Sequence, residues 1–93
     1  PMPIPPYTAA QYLRAVGYKL RKLRKASGVS QLEAAAAVEM DRAHLANWEA
    51  GRHEPGIYRL TRLLGYYGCD PGECYAKIDK RARMYQRHAA RRG

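Results

Sequence analysis

Residues 30–51 read SQLEAAAAVEMDRAHLANWEAG. Ser30 followed three positions later by Glu33 is a capping-box pair, in which hydroxyl and carboxylate each satisfy an amide that the first helical turn leaves free. The run Ala34 to Ala37 has the highest helix propensity available, so a short helix follows and ends near Val38. Asp41 is placed to cap a second helix reaching about Ala50, with Leu45 and Trp48 as its apolar side. Gly51 stands where such a helix stops in left-handed backbone. The turn between the two is roughly three residues, short enough to make the helices cross steeply.

Upstream, Thr8 and Gln11 form another capping pair, and Tyr12, Val16, Leu20 and Leu23 recur at three- and four-residue steps. This predicts a helix from about 9 to 26, stopped by Gly28. Gly17 inside it costs about 1 kcal/mol relative to alanine, so either a neighbour packs tightly there or the ordered helix starts later. Downstream of Pro55-Gly56, the spacing Ile57, Leu60, Leu63, Leu64, Tyr67 predicts a fourth helix ending at Gly68. Asp70, Pro71 and Glu73 then supply N-cap, N1 and N3 of a fifth, along which Cys74, Ile78, Ala82, Tyr85 and Ala89 trace a thin apolar stripe. The chain therefore reads as all-α. Residues 1–7 form a flexible arm opened by PMPIPP, whose prolines disfavour helix. Residues 8–79 form the domain and 80–93 a basic helical extension. Pro1 before Met2 suggests a natural start at Met2, with Pro1 left from a cleaved tag.

The 93 residues carry 17 Lys and Arg against 8 Asp and Glu, a formal +9. That length suits one small domain, and that charge implies a polyanionic partner, nucleic acid or an acidic membrane surface. No apolar run approaches the roughly 20 residues that span a bilayer, and no leader pattern opens the chain, so a cytoplasmic protein is expected. Cys69 and Cys74 lie outside any second cysteine pair, and His44, His53 and His88 are scattered. Neither a metal nor a disulfide framework is expected, the cysteines reading as apolar packing between helices four and five. No carboxylate pair, activated cysteine or phosphate-cradling loop stands at catalytic spacing, so neither an enzyme nor a cofactor is expected.

The chain resembles the Cro and phage-repressor type of helix-turn-helix domain. The resemblance rests on VGYKLRKLRKASGVSQ at 16–31 and EAAAAVEMDRAHLANWEAGRHEP at 33–55, and spans about residues 16–78. Its specific elements are the LRxLR of the first helix, Ser30-Gln31, Trp48-Glu49 with Gly51, and Pro55. It implies a five-helix bundle of the lambda-repressor-like DNA-binding type, with the basic C-terminal helix as an addition. It further implies a phage or bacterial transcriptional regulator, a repressor, whose helix 42–50 reads double-stranded DNA in the major groove. Two positions depart from the family: Ala34 stands where it usually has leucine, and Glu39 where it has glycine. Met40, Trp48 and nearby tyrosines are the candidates to restore the lost volume, and Glu39 would be a mildly strained left-handed residue.

On that helix Arg42, Ala43, His44 and Asn47 are the base-reading candidates. Arg42 can donate two bonds to guanine, Asn47 can pair with adenine, and Ala43 offers apolar contact to a thymine methyl. His44 at N3 is open between local capping, a phosphate and a base. By resemblance Gln31 contacts phosphate, as do Arg52 and His53 just past the recognition helix. Lys19, Arg21 and Lys22 add phosphate contacts from the first helix, which carries six cations from Arg14 to Lys25 and no acid. Trp48 reads as core, and Glu49 as a structural acid accepting backbone donors or pairing with Arg24 or Arg21.

A module of this size gains affinity by dimerising on a palindrome, and the corner Tyr66-Tyr67 with Cys69 or the stripe of the fifth helix offers a homodimer surface. Two other functions stay open. One is an antitoxin or phage accessory protein that binds DNA and also a protein partner through the C-terminal helix. The other is a nucleic-acid binder without sequence preference. The basic residues beyond Asp79 have no role in the resemblance.

Overall fold

The computed structural model describes residues 6–92, with side chains through Arg91. Its five helices are α1 (Ala9–Ser27), α2 (Gln31–Ala37), α3 (Arg42–Glu49), α4 (Ile57–Tyr66) and α5 (Pro71–Arg92). No strand occurs among the described residues. The expected arm lies outside them through residue 5. Tyr7, at its end, is half-buried, donating from its hydroxyl to Asp79 Oδ1 at 2.6 Å and stacking on Tyr12.

The caps form where the residue types place them. Thr8 Oγ1 accepts from the Gln11 amide at 3.1 Å while Gln11 Oε1 accepts from the Thr8 amide at 2.8 Å. Ser30 and Glu33 repeat the exchange at 3.1 and 3.2 Å, and Asp70 Oδ2 accepts from the Glu73 amide at 3.1 Å. Gly28, Gly51 and Gly68 each take positive φ behind a helix. Asp41 has the extended backbone of an N-cap, but its side chain makes no capping bond.

One core joins the helices. Val16 and Leu20 of α1, Leu45 and Trp48 of α3, Leu60, Leu63 and Leu64 of α4 and Ile78 of α5 are each at most 3% exposed. Each such large side chain contributes about 1.5–3 kcal/mol on burial. Met40 and Trp48 lie in the same buried cluster as the fully buried Ala34 and Ala35. Glu39 adopts φ 55°, and the turn closes around it with the Met40 amide donating to the Ala35 carbonyl at 3.0 Å.

Gly17 marks a close approach. A Cβ there would strike the Glu49 carbonyl oxygen and sit 3.0 Å from that of Trp48. The glycine thus lets the C-terminal end of α3 lie directly on α1, and α1 runs unbroken through it. The cysteines correct an expectation: Cys69 and Cys74 are joined as a disulfide. Gly68 at φ 76° and the helix start at Pro71 fold the intervening residues back, leaving the two Cα atoms 6.5 Å apart, within bridging range. Cys74 is fully buried all the same.

On α5, Cys74, Ile78 and Ala82 are buried, Tyr85 is half-buried and Ala89 is exposed. Its far half is laid against α1 by two stacked pairs, the Arg14 guanidinium 4.0 Å from the Tyr85 ring centre and that of Arg81 3.5 Å from Tyr18.

Candidate nucleic-acid interface

The two sides of α3 differ. Leu45, Trp48 and Glu49 are buried, whereas Arg42, Ala43 and His44 are exposed and Ala46 and Asn47 half-buried on the opposite strip. The division follows the helical period, so Trp48 fixes by its burial which residues point outward.

Glu49 is only 5% exposed, and a buried carboxylate is costly unless its oxygens are bonded. Arg24 supplies a bidentate pair, Nε to Oε2 at 2.7 Å and Nη2 to Oε1 at 3.1 Å, and Gln31 Nε2 donates to Oε1 at 3.1 Å. Arg21 Nε lies 3.9 Å from the same oxygen, its side chain 55% exposed. The bonds to Glu49 hold the Arg24 guanidinium above its ordinary value, against the opposing effect of burial. Arg24 also donates from Nη1 to the Val29 carbonyl at 3.2 Å, tying the turn between α1 and α2 to the same carboxylate.

The network reaches the exposed strip. Gln31 Oε1 accepts from Arg42 Nη1 at 3.2 Å, so Arg24, Glu49, Gln31 and Arg42 form a continuous relay from α1, past the end of α3 and the start of α2, to the first residue of α3. Arg42 still has Nε and Nη2 free of this bond, enough for a bidentate contact to a planar acceptor pair. Gln31 keeps its second amide proton for a further acceptor. One turn on, Asn47 Oδ1 accepts from Arg52 Nη1 at 3.4 Å, and the Arg52 amide donates to the Asn47 carbonyl at 3.0 Å. His44 meets Trp48 edge to face at 6.0 Å between ring centres, and His53 is exposed on the loop between α3 and α4.

The residues singled out from the sequence therefore fall into two places. Arg42, Ala43, His44, Asn47, Gln31, Arg52 and Arg21 gather on or beside α3. Lys19 and Lys22 lie elsewhere, lining a groove between α1 and α5. The relay through Glu49 and Gln31 is not readable from the sequence, because it depends on the start of α2 lying against both the first and the last residue of α3; the acid expected near Arg24 or Arg21 is its only trace there.

Among the described residues no group of His, Cys, Asp and Glu is arranged to hold a metal ion, and no helix is long and apolar enough to cross a membrane.

The helix-turn-helix family matches residues 20–74, from the second half of α1 into the start of α5. No curated protein sequence matches the chain. Two solved structures of the clp gene regulator ClgR from Corynebacterium glutamicum are similar in fold. One is 24% identical with a TM-score of 0.75, covering 98% of this chain and 92% of that one. The other is 23% identical with a TM-score of 0.70, covering 88% and 96%.

Proposed function

The chain belongs to the Cro/repressor type of helix-turn-helix family, a family of DNA-binding transcriptional regulators, and we propose that it represses transcription by reading a specific duplex sequence with α3 in the major groove. The observation that carries this reading is the outward strip of α3, anchored from behind by Trp48 and Glu49 and at its first residue by the relay to Arg42. Preorganisation of this kind favours a selective contact, because little side-chain freedom remains to be lost on binding.

In this account Arg42 donates to a guanine, Asn47 pairs with an adenine, Ala43 meets a thymine methyl, and His44 lies at the edge of the same contact. Gln31, Arg52, His53 and Arg21 hold phosphates and set the register. Lys19 and Lys22 leave the phosphate set, because they face α5. The protein acts as a homodimer on a palindrome in the cytoplasm, and binding rather than catalysis is its work.

Selection of bound sequences from a random duplex library, followed by titration at several salt concentrations, tests the proposal. A palindrome with half-sites about 34–36 Å apart is the expected product. Binding that falls steeply with salt and enriches no sequence would leave a general nucleic-acid binder in its place.

A further inference from the structure

We propose that the seam between α1 and α5 is a docking trough for an acidic amphipathic segment of another protein. Arg14 meets Tyr85 and Tyr18 meets Arg81, so the two helices run antiparallel. Two grooves open along this seam, one of about 270 Å³ and one of about 630 Å³, and they share Tyr18, Arg81 and Met84. Together they reach from Gln11 to Lys22 along α1, a length of roughly 17 Å at 1.5 Å per residue. That is about three turns of a docked helix, longer than a compact small anion would use.

The trough's accessible apolar surface is the half-buried Met84 and the part of Tyr18 that Arg81 leaves uncovered, the residue being 42% exposed, while Ala15 and Ile78 lie buried beneath. The walls are cationic. Lys19, Lys22, Lys77, Lys80, Arg81 and Arg87 line the smaller groove, and no Asp or Glu lines either one. Asp79, the acid next along α5, is engaged by Tyr7 and Arg83 instead. The crowding registers on Lys19, whose ammonium is pushed below its ordinary value first by burial and then by Lys77, Lys22 and Arg81. Like charges held together repel in the free protein, and carboxylates laid between them would turn that repulsion into attraction.

Charge and shape select the occupant. A second copy of the chain would bring cations to cations. A duplex offers a regular row of phosphates and nothing apolar to lay on Met84 and the open part of Tyr18. Moreover, Tyr18, Lys22 and Lys19 lie roughly 100 to 160° round α1 from Gly17, the point where α3 touches it. The trough thus opens on another face from the recognition helix. A helical segment with apolar residues one turn apart to meet Met84 and Tyr18, flanked by Asp and Glu to meet the cations, satisfies both at once.

The test is a phage-displayed library of random 16-residue peptides panned on the full chain in the presence of excess random-sequence duplex. Enriched peptides are expected to combine carboxylates with apolar residues at helical spacing. The strongest of them, synthesised with a fluorophore, should bind the Lys77→Glu/Lys80→Glu double variant at least about tenfold more weakly than the unmodified chain. Both lysines are exposed, so the variant's melting temperature should stay within a few degrees, and its duplex affinity should fall much less than its peptide affinity. Replacing the peptide's acids by amides should weaken binding to the unmodified chain. The proposal is overturned if no acidic apolar sequences are enriched, or if the double variant binds the peptide undiminished. A larger loss of duplex than of peptide affinity would overturn it too, by making the seam a DNA contact.

Discussion

Against α1, the end of α3 brings a buried carboxylate together with the side chains that satisfy it, whereas α5 brings cations and aromatic rings with no carboxylate between them. At the first contact Glu49 is bonded by Arg24 and Gln31, and Gly17 removes the side chain that would hold the helices apart. At the second, Arg81 lies on Tyr18 and Arg14 on Tyr85, with Lys19, Lys77 and Lys80 left around the groove. Satisfied charge fixes a position; uncompensated charge awaits a partner. The difference separates a contact that fixes α3 from one suited to binding something else.

The largest expected effect breaks the first contact. Glu49→Ala leaves Arg24, whose side chain is only 15% exposed, without its carboxylate, and should cost about 3–5 kcal/mol in denaturant unfolding. Loss below 1 kcal/mol would mean that the pair does not hold α3. Gly17→Ala should cost about 1–3 kcal/mol, since the opposing atoms are backbone carbonyls rather than a flexible side chain. An unchanged denaturation midpoint would show that the two helices can separate freely.

Tyr67 sharpens the comparison from within the satisfied region. Its hydroxyl is buried with no hydrogen-bond partner among the described residues, and burial, followed by the Glu49 charge, raises its pKa strongly. Tyr67→Phe removes the unbonded group and should stabilise the fold by about 1 kcal/mol, measured as a higher denaturation midpoint; a lower midpoint would show that the hydroxyl is bonded in solution. The smallest effect belongs to the second contact, where Arg81→Ala should cost about 0.5–1 kcal/mol through the lost stack on Tyr18. A loss above 2 kcal/mol would make the seam a structural joint and not an open surface.

Much of the fold was legible because helix ends are written locally. Thr8 with Gln11, Ser30 with Glu33, and Asp70 with Glu73 each act within three residues, and Gly28, Gly51 and Gly68 need only their own backbone freedom. The outward strip of α3 was legible for the same reason, since Trp48 sets its register. Gly17 was ambiguous because its reason sits on another helix. The bond between Cys69 and Cys74 was missed because a spacing of five does not reveal how tightly the chain turns at Gly68. The basic run beyond Asp79 was unreadable because Arg81 and Tyr85 find their partners on α1, at Tyr18 and Arg14, at the other end of the sequence.

In the proposed division of labour, α3 reads sequence through Arg42 while Arg52 supplies affinity without selectivity. Titration of Arg42→Ala and Arg52→Ala against the selected palindrome and a scrambled duplex at one fixed salt concentration tests it most directly. Arg42→Ala should lose about 1–3 kcal/mol per half-site on the palindrome and little on the scrambled duplex, and Arg52→Ala should weaken both alike. Equal weakening of both duplexes by Arg42→Ala would contradict the claim.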